Sequence, residues 1–233
     1  MIDKQVMLIT GTRKGLGKSF VEYFHKKNFI IVGCSRKEID YKFDNYYHFC
    51  MDVSNELEIG KLFSFIRNEF GRLDVLINNA GVGSMNHSFL IPSFTIQKIL
   101  NTNIFANFLF SRESAKIMKK NNFGRIINLA SFAVPFKLEG ESIYAASKAA
   151  IISLTETLSK EYSSYGITVN AVSPPAVQTD LIKNVPKDKM MKLLERQAIH
   201  RYGMPEEVCN VIDFLIDKNN NMVTGQTVYM GGV

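Results

Sequence analysis

The 233-residue sequence predicts an α/β fold: one Rossmann-type domain, a doubly wound parallel sheet of about seven strands with helices on both faces. Apolar, β-rich runs recur at Val6–Thr10, Phe29–Ser35, Tyr46–Cys50, Leu73–Asn78, Arg125–Ser131, Ile167–Ser173 and Gln226–Met230. Their hydrophobicity is continuous rather than alternating, which marks strands covered on both faces. Segments of helical spacing separate them, and that alternation implies right-handed βαβ crossovers.

The helices are read from their apolar faces. Lys18–Lys27 places Phe20, Val21 and Phe24 on one side. Glu56–Phe70 does so with Leu57, Ile59, Leu62, Phe63, Ile66 and Phe70. Further helices are expected over Thr95–Asn121, Ser142–Ser164 and Pro205–Asp217. Asp180–Gly203 is polar, Lys- and Met-rich and weakly periodic, so it is expected to leave the sheet as a substrate lid. No repeat or linker divides residues 1–233, which are expected to form a single domain.

Composition narrows the classes. Hydrophobic residues at 46% and charged residues at 21% are an ordinary globular balance and argue against disorder. The net charge of +6 is scattered, and no nucleic-acid motif accompanies it, so no nucleic-acid partner is expected. Three widely spaced cysteines offer neither a disulfide framework nor a metal pattern. The start MIDKQVMLIT does not read as a secretory signal, and no apolar run is long enough for a bilayer. A cytoplasmic protein without a membrane partner is expected.

Ligands of such sheets bind beyond the carboxyl ends of the strands. There the first strand runs into Thr10-Gly11-Thr12-Arg13-Lys14-Gly15-Leu16-Gly17 and a helix. Glycines let the backbone approach a pyrophosphate, whose charge a helix N-terminus stabilises. The spacing is G-x-x-x-G-x-G rather than G-x-G-x-x-G. The second strand ends Gly33-Cys34-Ser35-Arg36, with a cation where an acid would take a ribose hydroxyl. With Lys14, Arg36 favours an extra phosphate through charge-assisted bonds, hence NADPH/NADP+ as cofactor.

At the chemical end, Tyr144-Ala145-Ala146-Ser147-Lys148 sets Tyr and Lys one helical turn apart. An ammonium beside a phenol lowers the phenol's pKa towards the working pH of a general acid or base. Ser131 closes the fifth strand, thirteen residues earlier, and Asn103 lies in Asn101-Thr102-Asn103.

Together these motifs resemble the short-chain dehydrogenase/reductase family, and the resemblance runs from Val6 to Gly232. It takes in Asp52-Val53, Asn78-Asn79-Ala80-Gly81, Gly166-Ile167-Thr168-Val169-Asn170, Arg201–Glu207 and Thr224-Gly225-Gln226-Thr227. The resemblance implies carbonyl–alcohol interconversion by hydride transfer. Tyr144 would exchange the alcohol proton. Lys148 would lower the Tyr144 pKa and hold the nicotinamide ribose. Ser131 would bond the substrate oxygen, and Asn103 would fix a water beside Lys148. Cofactor contacts are implied at Gly11, Arg13, Lys14, Gly15, Leu16, Gly17, Ser35, Arg36, Asp52, Val53, Asn79, Ala80, Gly81, Tyr144, Lys148, Pro174, Val177 and Thr179. A homo-oligomer, tetramer or dimer, is implied as well.

One departure stands out. The family usually has Pro-Gly after the sixth strand; this chain has Pro174-Pro175. Proline fixes φ and lacks an N–H, which puts the nicotinamide contacts there in question. The pocket walls are expected from Gly83–Leu90, Phe132–Ile143 and the lid. Glu139, Glu141 and His87 either point inward or are solvated, and so do Lys183, Lys187, Lys189 and Lys192.

The chain is similar to 3-ketoacyl-carrier-protein reductases. Where those carry docking arginines, it has Asn122 and Tyr165, and Lys119 and Lys120 as substitutes match poorly. The reading therefore favours another small carbonyl substrate. That reductase activity remains the alternative, with a catalytically silent NADPH-binding module as a second.

Overall fold

The computed structural model describes residues 4–178 and 187–232. Seven parallel strands form one sheet in the order β3-β2-β1-β4-β5-β6-β7. They are β1 (Gln5–Thr10), β2 (Phe29–Ser35), β3 (Tyr46–Cys50), β4 (Val75–Asn78), β5 (Gly124–Leu129), β6 (Ile167–Ser173) and β7 (Thr227–Tyr229). The order reverses between β1 and β4. Their carboxyl ends therefore diverge into a crevice, the usual ligand site of open α/β sheets.

Both faces of the sheet are covered, which explains the continuous apolar runs. Val6 and Leu8 of β1 join a core with Leu62 and Phe63 of α2 (Glu56–Glu69) and Phe110 of α4 (Ala106–Met118). Met7 and Ile9 join the opposite core with Phe20, Val21 and Phe24 of α1 (Gly15–Phe24) and Ile212 of α8 (Pro205–Ile216). Leu57, expected on the buried face of α2, is 79% exposed. Its position follows directly on the Asn55 cap, whose side chain takes the N–H groups of Leu57 and Glu58.

Two expected elements differ in ways that matter for the site. The first helix begins at Gly15, not Lys18, so the glycine turn leads directly into its first turn. The segment 95–121 is not one helix. α3 (Ser93–Leu100) passes through a π-helical turn at Asn101–Phe105 before α4. A π turn adds a residue to the helical repeat and re-aims the side chains on either side. Here it turns Asn103 into the protein, 2% exposed.

A short α5 (Ala133–Phe136) follows β5, and the long α6 (Ser142–Tyr162) carries Tyr144 and Lys148. Of the expected lid, 180–186 lie outside the described residues; the rest forms α7 (Lys187–Glu195) and a loop back to Gly203. No helix among the described residues is long and apolar enough to cross a membrane.

Candidate active site

The glycine turn is built by close approach. Gly11 adopts φ +75°, and its N–H donates to the Cys34 carbonyl at 2.8 Å. A Cβ on Gly17 would stand 2.1 Å from the Gly11 carbonyl oxygen and 2.6 Å from Asn79 Nδ2. Only glycine fits there. Asn79 ties β4 to the turn, donating to the carbonyls of Thr10 at 2.8 Å and Gly11 at 3.1 Å. The N–H groups of Asn79 and Ala80 both donate to Thr10 Oγ1.

These residues rim a cavity of about 900 Å³ in the crevice between β1 and β4. Gly11, Arg13, Lys14, Gly15, Leu16, Gly17, Ser35, Arg36, Asp52, Val53, Asn79, Ala80 and Gly81 all line it. A mononucleotide-sized group fits, since ligand clefts run to about 300–1,000 Å³. Lys37, Ser54, Thr95 and Lys98 line it too, and the sequence reading missed them. Lys37 follows Arg36 directly and was open to notice. Thr95 and Lys98 come from α3 across the cleft, and no local spacing announces them. Asp52 is the acid among these cations. Partial burial opposes its ionisation, but hydrogen bonds from Ser54 and the charges of Arg36 and Lys98 prevail and hold it below the usual carboxylate range.

Tyr144, Lys148, Ser131 and Asn103 stand together, next to Gly81 of the cavity lining but not themselves lining the cavity. A Cβ on Gly81 would lie 3.5 Å from Asn103 Oδ1 and 3.6 Å from Lys148 Nζ. The Lys148 ammonium sits 5.9 Å from the Tyr144 ring centroid and donates to the Leu129 carbonyl at 2.6 Å. Ser131, just past the end of β5 rather than within it, hydrogen-bonds the Tyr144 side chain and accepts the Ala133 N–H at 3.1 Å. Asn103 Nδ2 donates to the Val82 carbonyl and to Ser147 Oγ, both at 2.9 Å.

Electrostatics differ from the sequence expectation. Burial pushes the Tyr144 phenol up to about 12; the Ser131 hydrogen bond opposes this and nearby Glu141 adds to it. Burial also brings the Lys148 ammonium down to about 8. Desolvation disfavours both charged forms, and the opposing pull on the phenol comes from Ser131 rather than from Lys148 as expected. Tyr144 is therefore held as a proton donor at neutral pH.

The Pro174-Pro175 turn is accommodated by glycines opposite it. A Cβ on Gly203 would meet Pro175 Cγ at 2.2 Å, and one on Gly231 would meet Pro175 Cβ at 3.3 Å. Gln197 supplies the acceptor for the next N–H, that of Ala176, at 3.2 Å. Val177 pairs with Gly203 and is buried in the core on the α1 and α8 face of the sheet. Neither Pro174 nor Val177 lines the large cavity, and Thr179 lies outside the described residues.

The expected pocket wall meets the lid helix. Phe136 and Ala176 pack with Met190 and Leu193 of α7, flanked by Phe132 and Leu138. Arg196 donates to the Phe136 carbonyl at 2.8 Å and lies 4.5 Å from its ring centroid. Glu139 and His87 are exposed, as are Lys189 and Lys192. Lys183 and the Lys187 side chain lie outside the described residues. Glu141 is partly buried, and burial raises its carboxyl pKa.

A doubly wound parallel sheet with a crevice where its strand order reverses gives the architecture of the α/β nucleotide-binding class. Residues 5–190 match the short chain dehydrogenase family. The chain belongs to that family. It is 32% identical to 3-oxoacyl-(acyl-carrier-protein) reductase FabG of Rickettsia felis over 240 residues, covering 100% of this chain and 98% of the relative. It is 29% identical to the FabG of Escherichia coli over 236 residues, covering 99% and 97%. Among solved structures, 4-hydroxyisoleucine dehydrogenase complexed with NADH and succinate, in a mutant form, superposes with TM-score 0.91 at 27% identity over 98% of each chain. ElxO with NADP bound gives 0.89 at 27% over 97% of each. Actinorhodin polyketide ketoreductase with NADPH gives 0.89 at 26%, over 100% of this chain and 97% of that one.

Proposed function

We propose that the protein is an NADPH-dependent reductase that interconverts a small carbonyl compound and its secondary alcohol. The observation that carries this reading is the cluster itself: the Tyr144 phenol beside Ser131, with the buried Lys148 ammonium one turn away and 5.9 Å from the Tyr144 ring centroid. A cluster of this kind serves proton transfer to an oxygen, whereas cofactor binding alone needs no such acid.

The lining suits a nicotinamide dinucleotide in backbone and charge. Gly11 and Gly17 let the turn lie against Asn79 and Ala80, a closeness any Cβ would break, and both glycines line the crevice. Arg13, Lys14, Arg36 and Lys37 surround it with positive charge. When bound, the dinucleotide supplies or accepts the hydride. The glycine turn and the N-terminus of α1 would hold the pyrophosphate. Ser35, Arg36 and Lys37 would hold a 2′-phosphate, which distinguishes NADPH from NADH. The structural relatives are seen with both kinds of cofactor, and the positive charge at the end of β2 supports NADPH.

In the reducing direction Ser131 donates to the carbonyl oxygen as its negative charge grows. Tyr144 gives its proton to that oxygen. The Lys148 charge steadies the phenolate left behind, and Asn103 holds the neighbouring Gly81-Val82-Gly83 turn in place through Val82. The apolar wall of Phe132, Phe136 and Leu138 with α7 would close over the substrate and exclude water.

A second reading, reduction of 3-oxoacyl groups on a carrier protein, is favoured by the names of the curated relatives. The residues at the expected docking positions weigh against it: Asn122 and Tyr165 carry no charge for an acidic carrier, and the exposed Lys119 and Lys120 nearby in the chain are a poor match to the pattern.

The test is oxidation of NADPH and NADH with ketones, keto-sugars and 3-oxoacyl thioesters, the last on carrier protein and on a small thiol. Turnover with NADPH that Tyr144→Phe abolishes is the expected outcome. Rates that depend on the carrier protein would favour the second reading. Tight NADPH binding with no turnover on any substrate would favour a silent binding module.

A further inference from the structure

Thr12 anchors the glycine turn from inside. It lies between Gly11 and Arg13, which line the cavity, but is itself fully buried. Each of its polar groups has a partner outside the turn. Its N–H donates to the Cys34 carbonyl at 3.1 Å, as the Gly11 N–H does at 2.8 Å. Its hydroxyl accepts from the Tyr46 hydroxyl at 2.8 Å and reaches the Cys34 carbonyl at 3.4 Å. Its carbonyl accepts from the Tyr41 hydroxyl at 2.7 Å. Neither tyrosine lines the cavity, and the carbonyl chemistry uses neither.

The surrounding structure aims both phenols at Thr12. Tyr46 opens β3, and a Cβ on Gly33 of β2 would stand 2.2 Å from its hydroxyl. A glycine inside a strand here marks the close passage of another group. The same hydroxyl lies 2.8 Å from His48 Nδ1. Tyr41 stands in the connection from β2 to β3. Lys18 of α1 lies 5.1 Å from its ring centroid and pairs with the neighbouring Asp40 at 3.4 Å. Two residues on, Phe43 stacks on His25 at the end of α1, with ring centroids 3.9 Å apart. The connection is thereby docked on α1. Phenylalanine would fill these places equally well; what the hydroxyls add is direction.

Direction matters because of the peptide that follows. The Thr12–Arg13 bond is trans and planar, so its carbonyl and its N–H point to opposite sides. The Tyr41 bond draws the carbonyl towards a group outside the cavity lining. The N–H is turned the other way, on Arg13, which does line the cavity. Backbone N–H groups leading into a helix N-terminus attract anions. Rotated by half a turn, the same peptide would meet an anion with its carbonyl oxygen and repel it. We infer that Tyr41 and Tyr46 are positioning residues for the cofactor: they hold Thr12 so that the Thr12–Arg13 peptide offers its N–H, not its carbonyl, to a cofactor phosphate. Tyr41 sets the plane of the peptide, and Tyr46 fixes the Thr12 side chain against the twist that would release it. The inference rests on the dinucleotide reading above. The pyrophosphate and the 2′-phosphate offer the same chemistry; NADPH carries both and NADH only the first.

The test is the affinity of NADPH and NADH, read by nicotinamide fluorescence, in the wild type, Tyr41→Phe, Tyr46→Phe and Tyr23→Phe. Each substitution removes one hydroxyl and keeps the ring. Tyr23 is the control, since its hydroxyl donates to Asn210 at 3.0 Å instead. Tyr41→Phe and Tyr46→Phe are each expected to weaken NADPH by about two- to tenfold, the equivalent of one neutral hydrogen bond. Tyr23→Phe should leave it unchanged. An equal loss with NADH would place the N–H on the pyrophosphate, and a loss confined to NADPH would place it on the 2′-phosphate; both support the inference. Adenosine, which has no phosphate, should compete against either variant as well as against the wild type. A Tyr41 or Tyr46 variant that binds both cofactors as tightly as the wild type would overturn the inference for that residue. Equal losses in Tyr23→Phe, or adenosine weakened in the same proportion as NADPH, would reduce both tyrosines to general supports and overturn it entirely. All of these leave the dinucleotide reading intact. Wild-type protein that binds neither cofactor would overturn both.

Discussion

Asn103 clasps Val82 by both of its main-chain groups: Oδ1 accepts the Val82 N–H and Nδ2 donates to the Val82 carbonyl, each at 2.9 Å. The clasp depends on the π turn at Asn101–Phe105, which aims a buried amide at a loop following β4. That loop lines the cavity from Asn79 to Ser84. The clasp therefore fixes the strip of backbone between the cofactor cleft and the Tyr144 cluster.

Asn103→Ala should leave both Val82 groups without their partner. Such a loss costs about 1–3 kcal/mol per buried group left unsatisfied. Misplacing the loop by even an ångström should lower kcat by up to about a hundredfold. Asn103→Asp keeps the acceptor but not the donor and should fall between. Thermal unfolding and steady-state kinetics on the three proteins check this. Unchanged kcat in a destabilised Asn103→Ala would reduce the residue to a purely structural role.

Lys148 gives a pH-dependent stability. Burial brings its amine from 10.5 to about 8. Below about 8 the folded and unfolded chains both carry the charge, and the fold bears its desolvation. Between about 8 and 10.5 the unfolded chain keeps a proton that the folded chain has released, so stability rises with pH across that window. Lys148→Met removes this rise, which amounts to about 3 kcal/mol at most. The stability of the variant relative to wild type should therefore decline from pH 8 upwards, as followed by denaturant unfolding. In kinetics, the reducing rate should fall as pH passes about 8, because the charge that steadies the Tyr144 phenolate is lost there. A flat profile through that region would show that Lys148 is not the titrating group.

Gly17→Ala tests the cradle. The added methyl would lie 2.1 Å from a backbone oxygen and 2.6 Å from Asn79 Nδ2, so the turn or the Asn79 tie must give way. Overpacking of this kind costs about 1–3 kcal/mol. The expected result is weaker binding of NADPH and NADH alike, together with a lower melting temperature. Loss of one cofactor but not the other would mean that Gly17 serves selectivity rather than shape.

How far the sequence disclosed all this varies with the range of the cause. β2 and β6 have the boundaries that their apolar runs define, because strands buried on both faces carry their own signal. β3 keeps its expected boundaries too, although it is an edge strand with no fully buried residue. The site residues at strand ends were legible because a motif and a strand end coincide. The π turn was not, since Thr95–Asn121 keeps a helical apolar pattern on both sides of it. Nor was the grouping of Lys98 with Arg36 around Asp52, which needs α3 placed across the crevice. The hydrogen bonds from Tyr46 to Thr12 and from His48 to Ser35, which tie β3 to the cavity rim, escaped notice for the same reason. Tyr46 and His48 look like ordinary strand positions until Gly33 is seen to make room for Tyr46. The charge of Lys148 was legible, but the strength of its desolvation was not, because burial is set by the packing of α6 on β5 and not by a Y-x-x-x-K spacing.

The charge at the end of β2 offers a last test, of cofactor choice. Ser35 is buried while Arg36 and Lys37 are exposed at the cavity mouth, so exchanging the cations leaves the core untouched. A hydrogen bond to a charged group contributes about 1.5–3 kcal/mol. Arg36→Asp replaces a phosphate partner with a group that repels phosphate and can accept from a ribose hydroxyl. The ratio of kcat/KM for NADPH to that for NADH should drop by at least about tenfold. Lys37→Ala should lower the ratio less, because a lysine contributes a mobile point charge rather than a fixed fork. Salt should erode the wild-type preference, since both cations are solvated and screened at high ionic strength. A preference that survives Arg36→Asp unchanged would move the source of selectivity to Lys14 or Arg13 on the opposite rim.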